Sequence, residues 1–73
     1  MTQQLTDIER RIIIAVANGH TNKTIARDHG IHETTALRHV RKVCDRMGAR
    51  DRGHLVAIAF VAGVIGPADV VPA

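Results

Sequence analysis

Apolar residues recur at the spacing of an α-helix along most of the chain. In the first stretch they lie at Ile8, Ile12, Ile13 and Val16, which places them on one helical face. No stretch shows the two-residue alternation that is typical of a half-buried strand. The pattern therefore predicts an all-α fold.

Capping residues and glycines divide this pattern into helices. Thr6 and Glu9 form a T-x-x-E capping box, in which each side chain bonds the backbone N–H of the other. The first helix begins there and ends at Gly19. Asn22 is the predicted N-cap of a short second helix, which ends at Gly30.

Two further helices complete the predicted domain. The third runs over about residues 33–47 and stops at Gly48, and Asp51 caps a fourth that covers about residues 52–65. Gly66 and Pro67 then interrupt the pattern. The predicted organisation is a four-helix domain over residues 1–65 and a short, frayed tail over residues 66–73.

The third predicted helix has two contrasting faces on a helical wheel of about 100° per residue. The apolar face consists of Ala36, Val40, Val43, Cys44 and Met47. The opposite face consists of Thr34, Leu37, Arg38, Arg41, Lys42 and Asp45. One face thus fits against neighbouring helices, and the other presents cations to the solvent.

A short helix, a tight turn and a longer two-faced helix make a helix-turn-helix. Gly30 suits the turn because a residue without a Cβ atom accepts a positive φ. Ala26 is small where the two helices cross, and Ile25 and Ile31 fill the space between them. The third helix would be about 22 Å long, enough to lie in a DNA major groove.

The charge distribution agrees with a polyanionic partner. The chain has a net charge of +3, and its basic residues concentrate in residues 22–52. Proteins that bind single strands stack bases on aromatic side chains, and Phe60 is the only aromatic residue here. Double-stranded DNA is therefore the predicted partner.

No residue pattern indicates an enzyme or a metal protein. Paired carboxylates, a nucleophile motif and a phosphate-cradling loop are missing from the sequence, and the histidines lack zinc-ligand spacing to cysteines. The single cysteine, Cys44, lies on the apolar face, where burial raises a thiol pKa. We predict no catalysis, no cofactor, no metal and no small-molecule ligand.

The chain also lacks the features of a membrane or secreted protein. Its longest apolar run, from Leu55 to Ile65, falls short of the roughly 20 residues that span a bilayer. The first residues do not resemble a secretory signal, and the one cysteine permits no internal disulfide. We expect a cytoplasmic protein that is associated with the nucleoid.

Several short motifs resemble the DNA-binding domain of LuxR-type transcriptional regulators. In order, they are LT..E from Leu5, A.G..NK.IA from Ala17, GI..T from Gly30, HV at His39, and MGARDR from Met47. Together they cover roughly residues 5–59 in the family's order and spacing, which is more specific than one helix-turn-helix match. Such domains commonly end longer regulators. This chain has no room for a receiver or ligand-binding domain, so we expect the domain to stand alone.

The resemblance implies roles for individual residues. The third helix would enter the major groove, and the fourth would form a dimer. Asn22 would cap the second helix, and Lys23 and Thr35 would meet phosphates. The implied base-reading residues are Leu37, Arg38 and Arg41. With the neighbouring basic and polar residues added, the predicted phosphate contacts are Asn22, Lys23, Arg27, Thr34, Thr35, Lys42 and Arg46.

Four positions depart from the family pattern. His29 replaces the usual leucine, His32 the serine, Ala36 the valine and Leu37 the lysine. His32 is a poorer N-cap than serine, and Leu37 removes a cation from the reading face. The fold prediction is unaffected, but the family's usual DNA target does not carry over.

The fourth helix has an apolar face that the domain does not need for its own core. Leu55, Val56 and Ala59 are the predicted inward residues. Ile58, Val61 and Ile65 form a separate stripe, and exposed branched side chains usually mark an interface. We predict a homodimer through this stripe, with Ile65 included only if the helix continues past Gly63.

The sequence leaves two other functions open. One is a domain resembling region four of a sigma factor, which works while bound to RNA polymerase. The other is an interaction protein that pairs with larger LuxR-type regulators through its fourth helix. The second alternative would require the dimer helix but not Arg38 or Arg41.

Overall fold

The structure, a computed structural model, describes residues 5–72 and is built from helices. They are α1 (Asp7–Ala17), α2 (Asn22–His29), α3 (Glu33–Met47), α4 (Arg52–Val61) and a 3₁₀ helix (Pro67–Asp69). The described residues contain no strand, which confirms the all-α prediction. Residues 1–4 of the predicted domain and Ala73 of the predicted tail lie outside this range. Within it, none of the helices combines the length and apolarity that crossing a membrane requires.

Side-chain caps begin α1 and α4 as the sequence predicts. The backbone N–H of Glu9 donates to Thr6 Oγ1 at 3.2 Å, and the backbone N–H of Thr6 donates to Glu9 Oε1 at 2.9 Å. Asp51 Oδ1 accepts a bond of 2.9 Å from the backbone N–H of His54. These bonds satisfy N–H groups that have no partner within a helix.

The cap of α2 differs from the prediction. Thr21, not Asn22, is the N-cap: its backbone is extended, and its Oγ1 accepts from the backbone N–H of Thr24 at 3.2 Å. Asn22 is already the first helical residue. Its side chain is directed to Arg52 instead, as described below.

The turn between α2 and α3 has the predicted helix-turn-helix geometry. Gly30 adopts a left-handed conformation with φ of +63°, which residues with a Cβ atom rarely adopt. The backbone N–H of Ile31 then donates to the carbonyl of Ala26 at 2.9 Å. His32 caps α3, because its Nδ1 accepts from the backbone N–H of Thr34 at 3.2 Å.

The core lies where α3 packs against the other three helices. Its buried members are Ile12, Ile13, Ala15, Val16, Ile25, Ala26, Ala36, Val40, Val43, Cys44, Leu55, Ala59 and Ile65. Ala26 and Ala36 are the small residues of the α2–α3 pair, and both are buried. The apolar face of α3 therefore faces inward, as the helical wheel predicts.

The end of α4 corrects the predicted dimer face. The helix stops at Val61 rather than near residue 65, and Gly63, with φ of +73°, turns the chain back. Ile65 then enters the core, where it is 3% exposed. Burying an isoleucine contributes about 1.5–3 kcal/mol, which favours this arrangement over an exposed helical turn. The condition for including Ile65 in the predicted dimer interface is therefore not met, because the helix ends before Gly63 and Ile65 is part of the core.

The C-terminal tail packs on the end of α1, although the sequence predicted a frayed segment. Asn18 Nδ2 donates to the carbonyl of Asp69 at 2.8 Å, and Asn18 Oδ1 accepts from the backbone N–H of Val71 at 2.7 Å. Asp69 Oδ2 also accepts from the backbone N–H of Gly66 at 2.8 Å. One asparagine thus bonds the tail backbone on both of its polar atoms.

Glu9 joins the start of α1 to the end of α3. It is 6% exposed, and its Oε2 lies 3.5 Å from Arg46 Nη1. The pKa of Glu9 is lowered, first by the backbone N–H of Thr6 and then by the Thr6 hydroxyl and the charges of Arg46 and Lys42, against the opposing effect of burial. The ionised carboxylate is therefore part of the packing of α1 on α3.

We predict that Glu9→Gln lowers the free energy of unfolding by about 1 kcal/mol at neutral pH, because the amide keeps the cap but loses the ion pair. A lowered folded-state pKa stabilises the fold above the ordinary value of 4.5, and this contribution disappears as the pH falls through the folded pKa. Urea unfolding of both proteins across this range should show the difference shrinking on acidification. Glu33→Gln, which removes an exposed carboxylate, is the control. A difference that stays constant with pH would contradict the prediction.

Candidate nucleic-acid interface

The outward face of α3 presents three exposed cations. Arg38, Arg41 and Lys42 are exposed, whereas Val40 and Val43, on the same helix, are buried. No other side chain between residues 5 and 72 forms a hydrogen bond or ion pair with these three. Their donors are thus available to an external acceptor, and an arginine fork matches both acceptors on a guanine edge.

A groove runs beside this face toward the start of α4. Leu37 and Arg41 line it from α3, Asn22 lines it from α2, and Arg50 lines it from the loop before α4. Leu37 is half-buried at this flank rather than fully presented outward. The structure therefore brings two predicted base-reading residues next to a predicted phosphate contact, Asn22.

The start of α2 holds the predicted Asn-Lys pair. Lys23 is exposed in the first turn, with no bonding partner in the described part of the chain. Asn22 is half-buried, and its Oδ1 accepts from Arg52 Nη1 at 2.6 Å. The two side chains thus differ in their surroundings: Lys23 is exposed to solvent, whereas Asn22 is bonded to Arg52 of α4.

The two predicted threonines lie in the first turn of α3. Thr34 is exposed, and its Oγ1 lies 3.2 Å from Nδ1 of His32. Thr35 is half-buried. The structure leaves both near the start of the outward face, but the Thr34 hydroxyl already has a neighbour within the chain.

Two predicted phosphate contacts have acidic partners. Arg46 pairs with the buried Glu9, as described above, so it packs α3 on α1. Arg27 Nε lies 3.3 Å from Asp28 Oδ1, but both side chains are well exposed. An exposed pair of this kind contributes little to stability, so Arg27 can exchange its partner, whereas Arg46 has a structural role.

His29 and Cys44 are both engaged within the domain. His29 Nδ1 lies 2.9 Å from the carbonyl of Ile25, so its ring is satisfied by its own helix. Cys44 is buried, and burial raises the pKa of its thiol. In residues 5–72, no three His, Cys, Asp or Glu side chains form a group that could hold a metal ion.

Sequence reasoning missed two arginines beside the groove. Arg50 is exposed and lines the groove, and Arg52 bonds Asn22 and the carbonyl of His20. Both belong to the MGARDR segment, which carries the family resemblance but assigns no role to either arginine. The Asp51 cap predicts where α4 begins. It does not predict that Arg52 is half-buried while Arg50 is exposed, because that difference depends on how the helices pack.

The model for the bacterial regulatory proteins of the luxR family matches residues 3–59. The match extends from the segment before α1 into α4, and so includes the complete helix-turn-helix. The chain belongs to the luxR family. This membership confirms both the resemblance and the four-helix helix-turn-helix fold. The family is one of DNA-binding transcription regulators and is not a class of enzymes.

Three curated family relatives cover the same domain. The chain is 38% identical over 56 residues to the probable transcriptional regulatory protein SgaR of Hyphomicrobium methylovorum. It is 37% identical over 68 residues to the transcriptional regulatory protein FixJ of Azorhizobium caulinodans, and 34% identical over 62 residues to the transcriptional regulatory protein YdfI of Bacillus subtilis.

The matched region is a small part of these relatives. It includes 77%, 93% and 85% of this chain, but only 26%, 32% and 29% of SgaR, FixJ and YdfI. The chain therefore corresponds to less than a third of each relative. No solved structure gives a significant match.

Proposed function

We propose that the chain binds double-stranded DNA sequence-specifically as a small transcriptional regulator, with α3 in the major groove. The observation that supports this most directly is the exposed basic face of α3, beside a helix-turn-helix whose opposite face is buried. At 15 residues α3 is about 22 Å long, which suits a major groove. Such a regulator would act at the nucleoid.

The interface divides into base-reading and backbone-binding residues. Arg38 and Arg41 would read base edges, and the half-buried Leu37 would contact an apolar group such as a thymine methyl. The proposed backbone contacts are Asn22, Lys23, Thr34, Thr35 and Lys42, with Arg27 available after it releases Asp28. Arg46 contributes mainly by holding α3 against Glu9.

The names of the relatives support a regulatory role. SgaR, FixJ and YdfI are each named as transcriptional regulatory proteins. Their similarity to this chain lies in the domain that contains α3 and the basic face. Of the three hypotheses from the sequence, the DNA-binding regulator is the one that this family membership favours.

We further propose that two copies pair through α4. Ala57 and Val61 lie on its outer side, and Ile58 is half-buried beside them. Val61 is 90% exposed, so the fold of one chain does not cover it. An exposed apolar side chain on a helix that otherwise packs inward fits an interface with a second copy. Two α3 helices would then meet half-sites about one helical turn apart.

Lys23→Ala and Arg38→Ala should affect DNA binding in different ways. Loss of the Lys23 phosphate contact should weaken binding to every duplex. It should also reduce the salt slope, which is the slope of log binding constant against log salt concentration, by about 1 unit. Loss of Arg38 should weaken the free energy of binding to the preferred site by about 1–3 kcal/mol and relax the base preference at one position of that site. Titrations at several salt concentrations, on preferred and scrambled duplexes, measure both effects.

Arg11→Ala is the matched control for this pair. Arg11 is exposed on α1, so its loss changes the net charge without touching α2 or α3. If Arg38→Ala weakened binding equally on every sequence, Arg38 would be a phosphate contact instead. An unchanged salt slope for Lys23→Ala would remove Lys23 from the backbone contacts.

Val61→Glu should convert a dimer to a monomer without unfolding it. The side chain is almost fully exposed in one chain, whereas a carboxylate at an apolar interface would be buried without a partner. Sedimentation should show the monomer, and affinity for paired half-sites should fall while weak non-specific binding remains. Val71→Glu places the same charge on an exposed tail residue and should stay dimeric. A wild type that is monomeric at high concentration would contradict the dimer.

A further inference from the structure

Arg52 connects the first turn of α4 to the start of α2. Its Nη1 donates to Oδ1 of Asn22 at 2.6 Å, and its Nη2 donates to the carbonyl of His20 at 2.5 Å. The planar guanidinium thus holds two acceptors that are two residues apart in the chain. Arg52 is half-buried, so these bonds are partly shielded from water.

This contact fixes the orientation of the Asn22 carboxamide. A guanidinium only donates, so the atom of Asn22 that faces Arg52 must be the oxygen and not the nitrogen. The Nδ2 group then lies on the other branch of the amide, and no residue between 5 and 72 accepts a bond from it. Thr21 caps α2, so the Asn22 side chain is not required for capping.

The free amide lies beside the proposed DNA contacts. Asn22 lines the same groove as Leu37 and Arg41, and it precedes the exposed Lys23. A DNA phosphate offers only acceptors, so it binds the NH₂ group of an asparagine and not its oxygen. If the carboxamide rotated by half a turn, its oxygen would face the phosphate.

We propose that Arg52 is a positioning residue for DNA binding: it holds the Asn22 carboxamide so that Nδ2 donates to a backbone phosphate. Two of the five N–H donors of Arg52 are engaged by Asn22 and His20, and in this proposal its role is to hold the carboxamide rather than to bind the phosphate itself. The inference rests on the proposed function, since it requires duplex DNA at the start of α2. It adds a residue of α4 to the determinants of affinity.

A double-mutant cycle tests this proposal with a mixed-sequence duplex of about 20 base pairs, because phosphate contacts do not depend on sequence. Asn22→Ala and Arg52→Met should each weaken binding by about tenfold, the loss expected for a hydrogen bond to a charged group. Combining them should weaken binding no further. Additive losses would overturn the proposal, because Arg52 would then act independently of Asn22.

The salt dependence of binding gives a second readout, which separates a positioning role of Arg52 from a direct phosphate contact. If Arg52 only orients a neutral amide, Arg52→Met should leave the salt slope as in the wild type. If Arg52 itself bound a phosphate, the slope would fall by about 0.9 units, and that result would overturn the proposal. Arg11→Met, which removes an exposed arginine of α1, controls for the lost charge.

Asn22→Asp provides a separate test, whose outcome does not depend on the stability of the Arg52 variant. The carboxylate still accepts from Arg52, so the variant should melt at or above the wild-type temperature, but it has no donor for a phosphate. DNA binding should fall by at least about tenfold. Binding at the wild-type level would overturn the proposal. If the wild type itself bound no duplex, the proposed function would fail as well.

Discussion

Burial of one face of α3 is the constraint on which the rest of the structure depends. Ala36, Val40 and Val43 of α3 are buried in a small core, and the other three α-helices all pack against α3. Since a helix repeats every 3.6 residues, burying these positions forces Arg38 and Arg41 to the opposite side. The exposed basic face of α3 therefore follows from the core, and no separate element is needed to present it.

Polar contacts then hold α3 and its surroundings from two sides. At its C-terminal end, Arg46 pairs with Glu9, which also caps α1. Across the groove, Arg52 ties the start of α4 to Asn22. Four arginines in one short region thus have different roles according to their neighbours: Arg46 and Arg52 bond within the chain, while Arg38 and Arg41 extend outward. Net charge alone does not distinguish these two groups.

The sequence predicted the features that depend on local spacing. The capping box at Thr6, the turn at Gly30 and the two faces of α3 all follow from residues close together in the chain, and the structure confirms them. The failures are of two kinds: a helix cap that was misplaced by one residue, and contacts that form only in the folded chain. Ile65 continues the apolar stripe of α4 in sequence, but Gly63 turns it into the core, and Asn22 is preceded by a better-placed cap. The bonds from Arg52 to Asn22 and from Asn18 to the tail join residues at least 30 positions apart, which no local pattern reveals.

Selection of bound sequences from a random duplex pool, at near-physiological salt, tests most directly whether α3 reads base sequence. Bases contacted by Arg38, Arg41 and Leu37 should be enriched, and pairing through α4 should produce two related half-sites about one helical turn apart. A single half-site would indicate a monomeric reader. A pool that stays random after repeated rounds would contradict the proposal of sequence-specific DNA binding.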